Sequence, residues 1–306
     1  MLSTYPPGVD VARPEGTGWR REGVGLVPPV NDFALVDGAN GLTLGLAFSD
    51  PIRRDTGALS LVSVPPLEAP IPVAAGQIRF SALHLDRARA APTVLYALAS
   101  PPNVELWRWN RDGATSLASF RLDADEGVST ALGTDGAPVA LRDHRGTLFA
   151  VTAAGSSDPL YPAADWTDAS CTGTLTARYP DICPSDVTDV RDVGEQATRQ
   201  HAIASGAGAL WYAVATGHRA VGCAWGGSCL ESLPCACANQ PFSRMSDDVK
   251  LRIRDFAAPA REIVLRPQRW FSGTRLALAV DGAGLVYVAW GGASDLTLVV
   301  LDPRAL

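Results

Sequence analysis

At 306 residues with 47% hydrophobic content, the chain is long enough for one sizeable all-β domain with an ample core. A net charge of −6 excludes a basic footprint for nucleic acid or for an anionic membrane surface. No apolar run reaches the roughly 18 residues of a membrane-crossing helix. Lys250 is the only lysine, and with abundant Ala, Gly, Val, Asp and Pro this usage points to a GC-rich bacterial genome.

In chain order, Met1–Arg20 holds Pro6, Pro7 and Pro14 but no apolar h-region. It reads as an irregular N-terminal segment, neither signal peptide nor membrane helix, so an export signal is expected to be absent from this chain. Asn31-Asp32-Phe33 opens a strand that passes through Asp37-Gly38 into Leu42–Ser49. Leu59–Val64 and Ile71–Ala74 follow, with Pro65, Pro66 and Pro70 near an outer edge, where proline is tolerated.

The second group is the most complete: Ile78–Leu85, Thr93–Ala99, Val104–Asn110 and Ser116–Leu122. A third runs Val128–Gly133, Ala137–Arg142 and Thr147–Thr152, after which the pattern dissolves over about 153–195. The fourth, Gln200–Ser205 and Ala209–Thr216, is interrupted by about 217–248 and resumes in the alternating Val249–Arg254 and in Arg261–Leu265. The last group is Leu276–Val280, Leu285–Trp290 and Leu296–Leu301. Val, Leu, Tyr and Trp fit a pleated, half-buried surface, and glycine after aspartate supplies the positive φ of a tight hairpin. Helix is nearly absent; one short turn is possible near Ala163–Ala169.

The turn residues Asp37, Asp86, Asp135, Ser205 and Asp281 are separated by 49, 49, 70 and 76 positions. A period near 50 with about four strands per copy marks a β-propeller blade. Five copies predict a single five-bladed ring over residues 1–306, built from four-stranded antiparallel blades and carrying two insertions. The last copy has three strands, so a strand near Gly23–Pro28 is expected to supply the fourth and leave no open edge. VDGAGLVYVAW at Val280–Trp290 resembles the secreted bacterial β-propellers whose blades carry V-D-G-x-G turns before a Tyr-Val-Ala-Trp-like strand. That resemblance implies the architecture, which lectins, hydrolases and protein-docking modules share, and no single activity.

All six cysteines fall in the insertions: Cys171 and Cys183 in the first, Cys223, Cys229, Cys235 and Cys237 in the second. Long irregular loops bury little apolar surface, so cross-links are expected to order them, and disulfides imply an oxidising compartment: periplasm, cell surface or outside. Cys171 with Cys183 would close a local loop, leaving the other four to pair among themselves. The rival is a metal site using the last four cysteines and His218, but their spacing lacks the usual Cys-x-x-Cys pairs. No metal and no cofactor are expected.

In a propeller the inner strands surround a channel whose rim is built from loops. Asp32, Arg79, Ser129, Arg199 with His201, and Arg275 start the inner strands and are the first ligand-binding candidates, against the alternative of a solvated channel lining. His84 and His201 read as core or channel histidines, and His144 and His218 as solvated. Glu105, Trp107 and Trp109 share a strand, where the tryptophans would fill the space between blades. Trp166 and Trp225 lie in the insertions and are candidate partner contacts. Asn31-Asp32 resembles the Asn-Asp of invertase-type five-bladed glycosidases, which implies a nucleophilic role for Asp32. That family's Arg-Asp belongs in the second blade, whereas Arg142-Asp143 falls in the third, and the nearest glutamate is Glu126. No Gly-x-Ser-x-Gly elbow occurs. The expected function is an exported binding module that uses the channel rim and stapled loops to hold a protein, peptide or carbohydrate ligand. The alternative is a glycan-active hydrolase or lyase using carboxylates in the channel.

Overall fold

A computed structural model describes residues 8–16, 18–26, 30–38, 41–49, 57–64, 69–76, 84–86, 93–100, 103–121, 127–144, 146–152, 155–161, 171–172, 174–177, 187–228, 235–246, 248–268, 270, 274–291 and 296–305, some of them by their backbone alone. These residues form strands in antiparallel sheets and a single 3-10 turn at Pro303–Ala305. β1 (Gly8–Glu15) and β2 (Gly18–Leu26) make a two-stranded hairpin. Three four-stranded meanders follow. The first is β3 (Val30–Gly38), β4 (Gly41–Ser49), β5 (Gly57–Val64) and β6 (Ile71–Gly76). The second is β7 (His84–Asp86), β8 (Thr93–Ser100), β9 (Asn103–Asn110) and β10 (Gly113–Arg121). The third is β11 (Val128–Leu132), β12 (Pro138–His144), β13 (Thr147–Thr152) and β14 (Gly155–Tyr161).

A six-stranded sheet comes next: β15 (Thr174–Ala177), β16 (Val187–Gly206), β17 (Ala209–Ser228), β18 (Cys235–Met245), β19 (Lys250–Asp255) and β20 (Glu262–Leu265). β21 (Arg275–Val280), β22 (Val286–Gly291) and β23 (Leu296–Leu301) form a last, three-stranded sheet.

The repeated turns have a local cause. Asp281 Oδ1 accepts the backbone N–H groups of Ala283 and Leu285 at 2.9 Å each, and Gly284 takes a φ of +85°. Asp135 does the same for Ala137 at 2.9 Å, with Gly136 at +76°. A short carboxylate bonding the backbone two residues on, followed by a residue free to turn left-handed, fixes each hairpin without outside help.

Packing between sheets proceeds in chain order. β3 lies against β7, β7 against β11, β11 against β16 and β16 against β21. Leu59 and Leu61 meet Val94 and Tyr96 between the first two meanders, with Trp107 and Trp109 packed alongside as the strand pattern suggests. Leu141 and Leu148 meet Ile203 and Tyr212 between the third meander and the six-stranded sheet. Leu251 and Ile253 meet Val286 and Val288 between that sheet and the last. Burying one such side chain is worth about 1.5–3 kcal/mol, against tenths of a kcal/mol for a cross-strand pair, so these faces decide the stacking.

Several expectations are corrected. The all-β architecture of antiparallel meanders stands, but closure into a ring is not detected among the described residues. Gly18–Leu26 pairs with Gly8–Glu15 rather than with β23, so part of the segment read as irregular is a hairpin. That hairpin sits over the first meander: β5 is flanked by β4 and β6, its Leu61 face is taken, and β2 packs against it. The described parts of the insertions are not irregular loops. β14 and β15 lie in the first, and β16, β17 and β18 extend into one or the other from the sheet. The possible turn near Ala163–Ala169 lies outside the described residues.

Candidate functional site

The strand-start positions are brought together only in part. Ser129 on β11 and His201 on β16 meet, and Asp143 on β12 joins them. Ser129 Oγ is 2.8 Å from His201 Nδ1, and His201 Nε2 is 3.4 Å from Asp143 Oδ1. Gly127 donates its N–H to that same oxygen at 2.5 Å. The imidazole and carboxylate side chains are 1% and 8% exposed. With a carboxylate at Asp143, the Nε2–H tautomer faces it while Ser129 donates to Nδ1. The constellation has the residue types of a nucleophilic triad, but it is packed shut on one side. A Cβ at Gly127 would stand 3.0 Å from Arg199 O, 3.1 Å from Asp143 Oδ1 and 3.3 Å from His201 Nε2. The three side chains therefore act as a polar clamp between two sheets, in which His201 is hydrogen-bonded through Nδ1 and faces the carboxylate through Nε2 at ion-pair distance.

The other candidates lie apart. Arg199 is exposed on β16, and Arg275 is exposed at the first position of β21, opposite Gly291. Asp32 stands on β3 opposite Ala47, with its side chain outside the described residues. Arg79, Trp166 and Glu126 lie wholly outside them.

A charged network missed in the sequence spans the six-stranded sheet. Glu195 on β16 accepts from Thr216 at 2.5 Å, Lys250 at 3.0 Å, and Arg252 Nε and Nη2 at 2.9 and 2.8 Å. Arg252 Nη1 reaches Glu262 at 2.8 Å, and Arg254 reaches its other oxygen at 2.6 Å. The Tyr161 ring lies 5.7 Å from both guanidinium carbons. Partial burial pushes the Glu195 pKa up, but the hydroxyl, ammonium and guanidinium outweigh it and hold the carboxyl at about 2. Every charge here has a partner of opposite sign, which suits a brace joining strands more than a site awaiting substrate.

The two insertions fold into one structure. β17 pairs with β16 along its length, and its second half, Arg219–Ser228, also pairs with Cys235–Met245 of β18, which in turn pairs with β15. The result is a four-stranded arm continuous with the sheet. Cys171 is bonded to Cys223, 52 positions away, and not to Cys183. The reason is topological: β17 passes through the arm's centre, so the segment before β15 lies on it, which sequence proximity could not reveal. Cys237 is also disulfide-bonded, with its partner outside the described side chains. Cys235 opens β18, while Cys183 and Cys229 lie outside the described residues. Trp225 is half-buried on β17, and Val187 and Val190 are exposed on β16. His218 and Asp192 pair at 3.1 Å on the surface. Among the described residues no group of three or more His, Cys, Asp or Glu is placed to hold a metal.

A cleft of about 620 Å³ opens between the third meander and the six-stranded sheet. Four chain segments line it among the described residues: the β11–β12 turn with the start of β12, Thr152 at the end of β13, the β16–β17 turn, and Asp255–Ala257 at the end of β19. It lies at the other end of these strands from Ser129 and His201.

Compared with protein-family models and with curated proteins, the chain matches none.

Proposed function

We propose that the protein is an exported five-bladed β-propeller that binds a protein, peptide or glycan through its disulfide-stapled arm. The observation that carries this reading is the fusion of both insertions into a single cross-linked sheet. Loops that merely decorate a surface need no shared ladder and no disulfide, whereas a surface presented to a ligand gains from being held rigid before it meets one. The cross-links also support an oxidising location outside the cytoplasm.

The ring itself is supported by the last sheet. Leu296, Leu298 and Val300 are 76%, 59% and 50% exposed on one face of β23, whose outer edge lacks a partner among the described residues. In a closed ring this edge pairs with the N-terminal hairpin, which already lies over β5, and the face packs toward the first meander. Amide hydrogen exchange checks this. All amides of Leu296–Leu301, including those pointing away from β22, are expected to exchange as slowly as those of β22. Fast exchange of alternate amides would mean an open edge and no ring.

Binding is tested by screening the intact chain on glycan and peptide arrays, then comparing a Val187→Ser, Val190→Ser, Trp225→Ala variant on each hit. At least about tenfold weaker binding is expected from losing three apolar contacts. Unchanged affinity on every hit, or no hit for the intact chain, removes the arm from recognition.

A further inference from the structure

We infer that the cleft between the third meander and the six-stranded sheet binds a cation carried on an apolar stem, the chemistry of a guanidinium or ammonium side chain. This site is separate from the arm, and it stands or falls independently of it. Its floor is the end of the core joining the two sheets: Val139 and Leu210 are buried, and Phe256 packs edge-to-face on Tyr212 with ring centroids 6.3 Å apart. Pro138 adds a rigid apolar wall. Its volume falls within the roughly 300–1,000 Å³ typical of small-molecule sites.

Two carboxylates, Asp135 and Asp255, are the only charged side chains among the described lining residues. Asp255 is 8% exposed; one oxygen accepts the Ala257 N–H at 3.0 Å. The other oxygen is 3.7 Å from Nη1 of the half-exposed Arg261, too far for a hydrogen bond, and Arg261 also donates to Pro303 O at 2.9 Å. Asp135 spends one oxygen on its own turn, and among the described residues the second has no partner. Anionic groups set above an apolar floor attract a cation and repel an anion, while the floor rewards hydrocarbon next to the charge. The walls are preformed. The Asp135 carboxylate fixes one turn, and Ala207 and Gly208 fix the next with φ values of 48° and 75°, so little ordering is left for binding to impose.

The test is an NMR titration of the full chain with Nα-benzoyl-argininamide and with its uncharged isostere Nα-benzoyl-citrullinamide. The arginine compound is expected to bind at least about tenfold tighter, the worth of a charge-assisted hydrogen bond, and to shift amides at 133–139, 208–210 and 255–257. Asp135→Asn keeps an oxygen for the Ala137 N–H, so the turn survives while the charge is lost. That variant is expected to retain its amide spectrum outside the turn and to lose most of the preference. Equal affinities for the two compounds, binding of neither, shifts elsewhere, or a variant that keeps the full preference would each overturn the assignment.

Discussion

Replacing Cys171 and Cys223 with alanine is expected to cost about 4 kcal/mol, the loop-closure entropy of a cross-link spanning 52 positions. The loss should be localised. The blade half of the six-stranded sheet is held by Leu251, Ile253 and Tyr212 in the cores on its two faces, and none of these touches the disulfide. The arm has fewer buried apolar side chains of its own, with Val221 and Cys223 flanking the buried Gly222 on β17 beyond Gly217. Limited proteolysis should therefore cut the variant within 162–195 and 217–248 while the blade half of this sheet and the other sheets resist, and reduction of the native protein should reproduce that pattern. Cleavage spread evenly through the chain would show that the cross-link supports the whole domain.

Glu195→Gln should cost about 2–3 kcal/mol at neutral pH. A folded-state pKa of about 2 lies below the ordinary 4.5, and at about 1.4 kcal/mol per unit the full difference is about 3.4 kcal/mol; water reaching a side chain 18% exposed lowers that. Because the folded pKa is the lower one, the stabilisation is complete above about pH 4.5 and disappears as pH falls towards 2. Urea titrations of native and variant protein should therefore differ most at pH 7 and converge at the acid end. A difference independent of pH would mean that the carboxylate acts through shape and not charge.

The hairpins were legible because their causes are local. Asp281 and Asp135 build their turns from neighbours two to four residues away, and the alternation in Lys250–Asp255 marks a strand buried on one face. Val187–Arg199 was opaque for the opposite reason. Register shifts between Thr188 and Arg191, Asp192 and Glu195, and Ala197 and His201 reset the alternation each time, and six consecutive exposed positions remove the apolar signal. The Cys171–Cys223 pairing, the Glu195 brace and the cleft all join residues brought near by the sheets and not by the chain. Ser129 and His201 were both picked as strand-start residues, but their contact, with Asp143 between sheets, needed the packing of β11 on β16 to appear.

The shared strand β17 has a mechanical meaning. Its first half is bonded to β19 as far as Thr216 and its second to β18 from Arg219, while the strand itself continues unbroken from Ala209 to Ser228. Twenty residues of extended chain span about 65 Å, and antiparallel hydrogen bonds lie across that axis. Tension applied at the distal end is thus resisted in shear by rows of bonds loaded together, as a tendon inserts into bone.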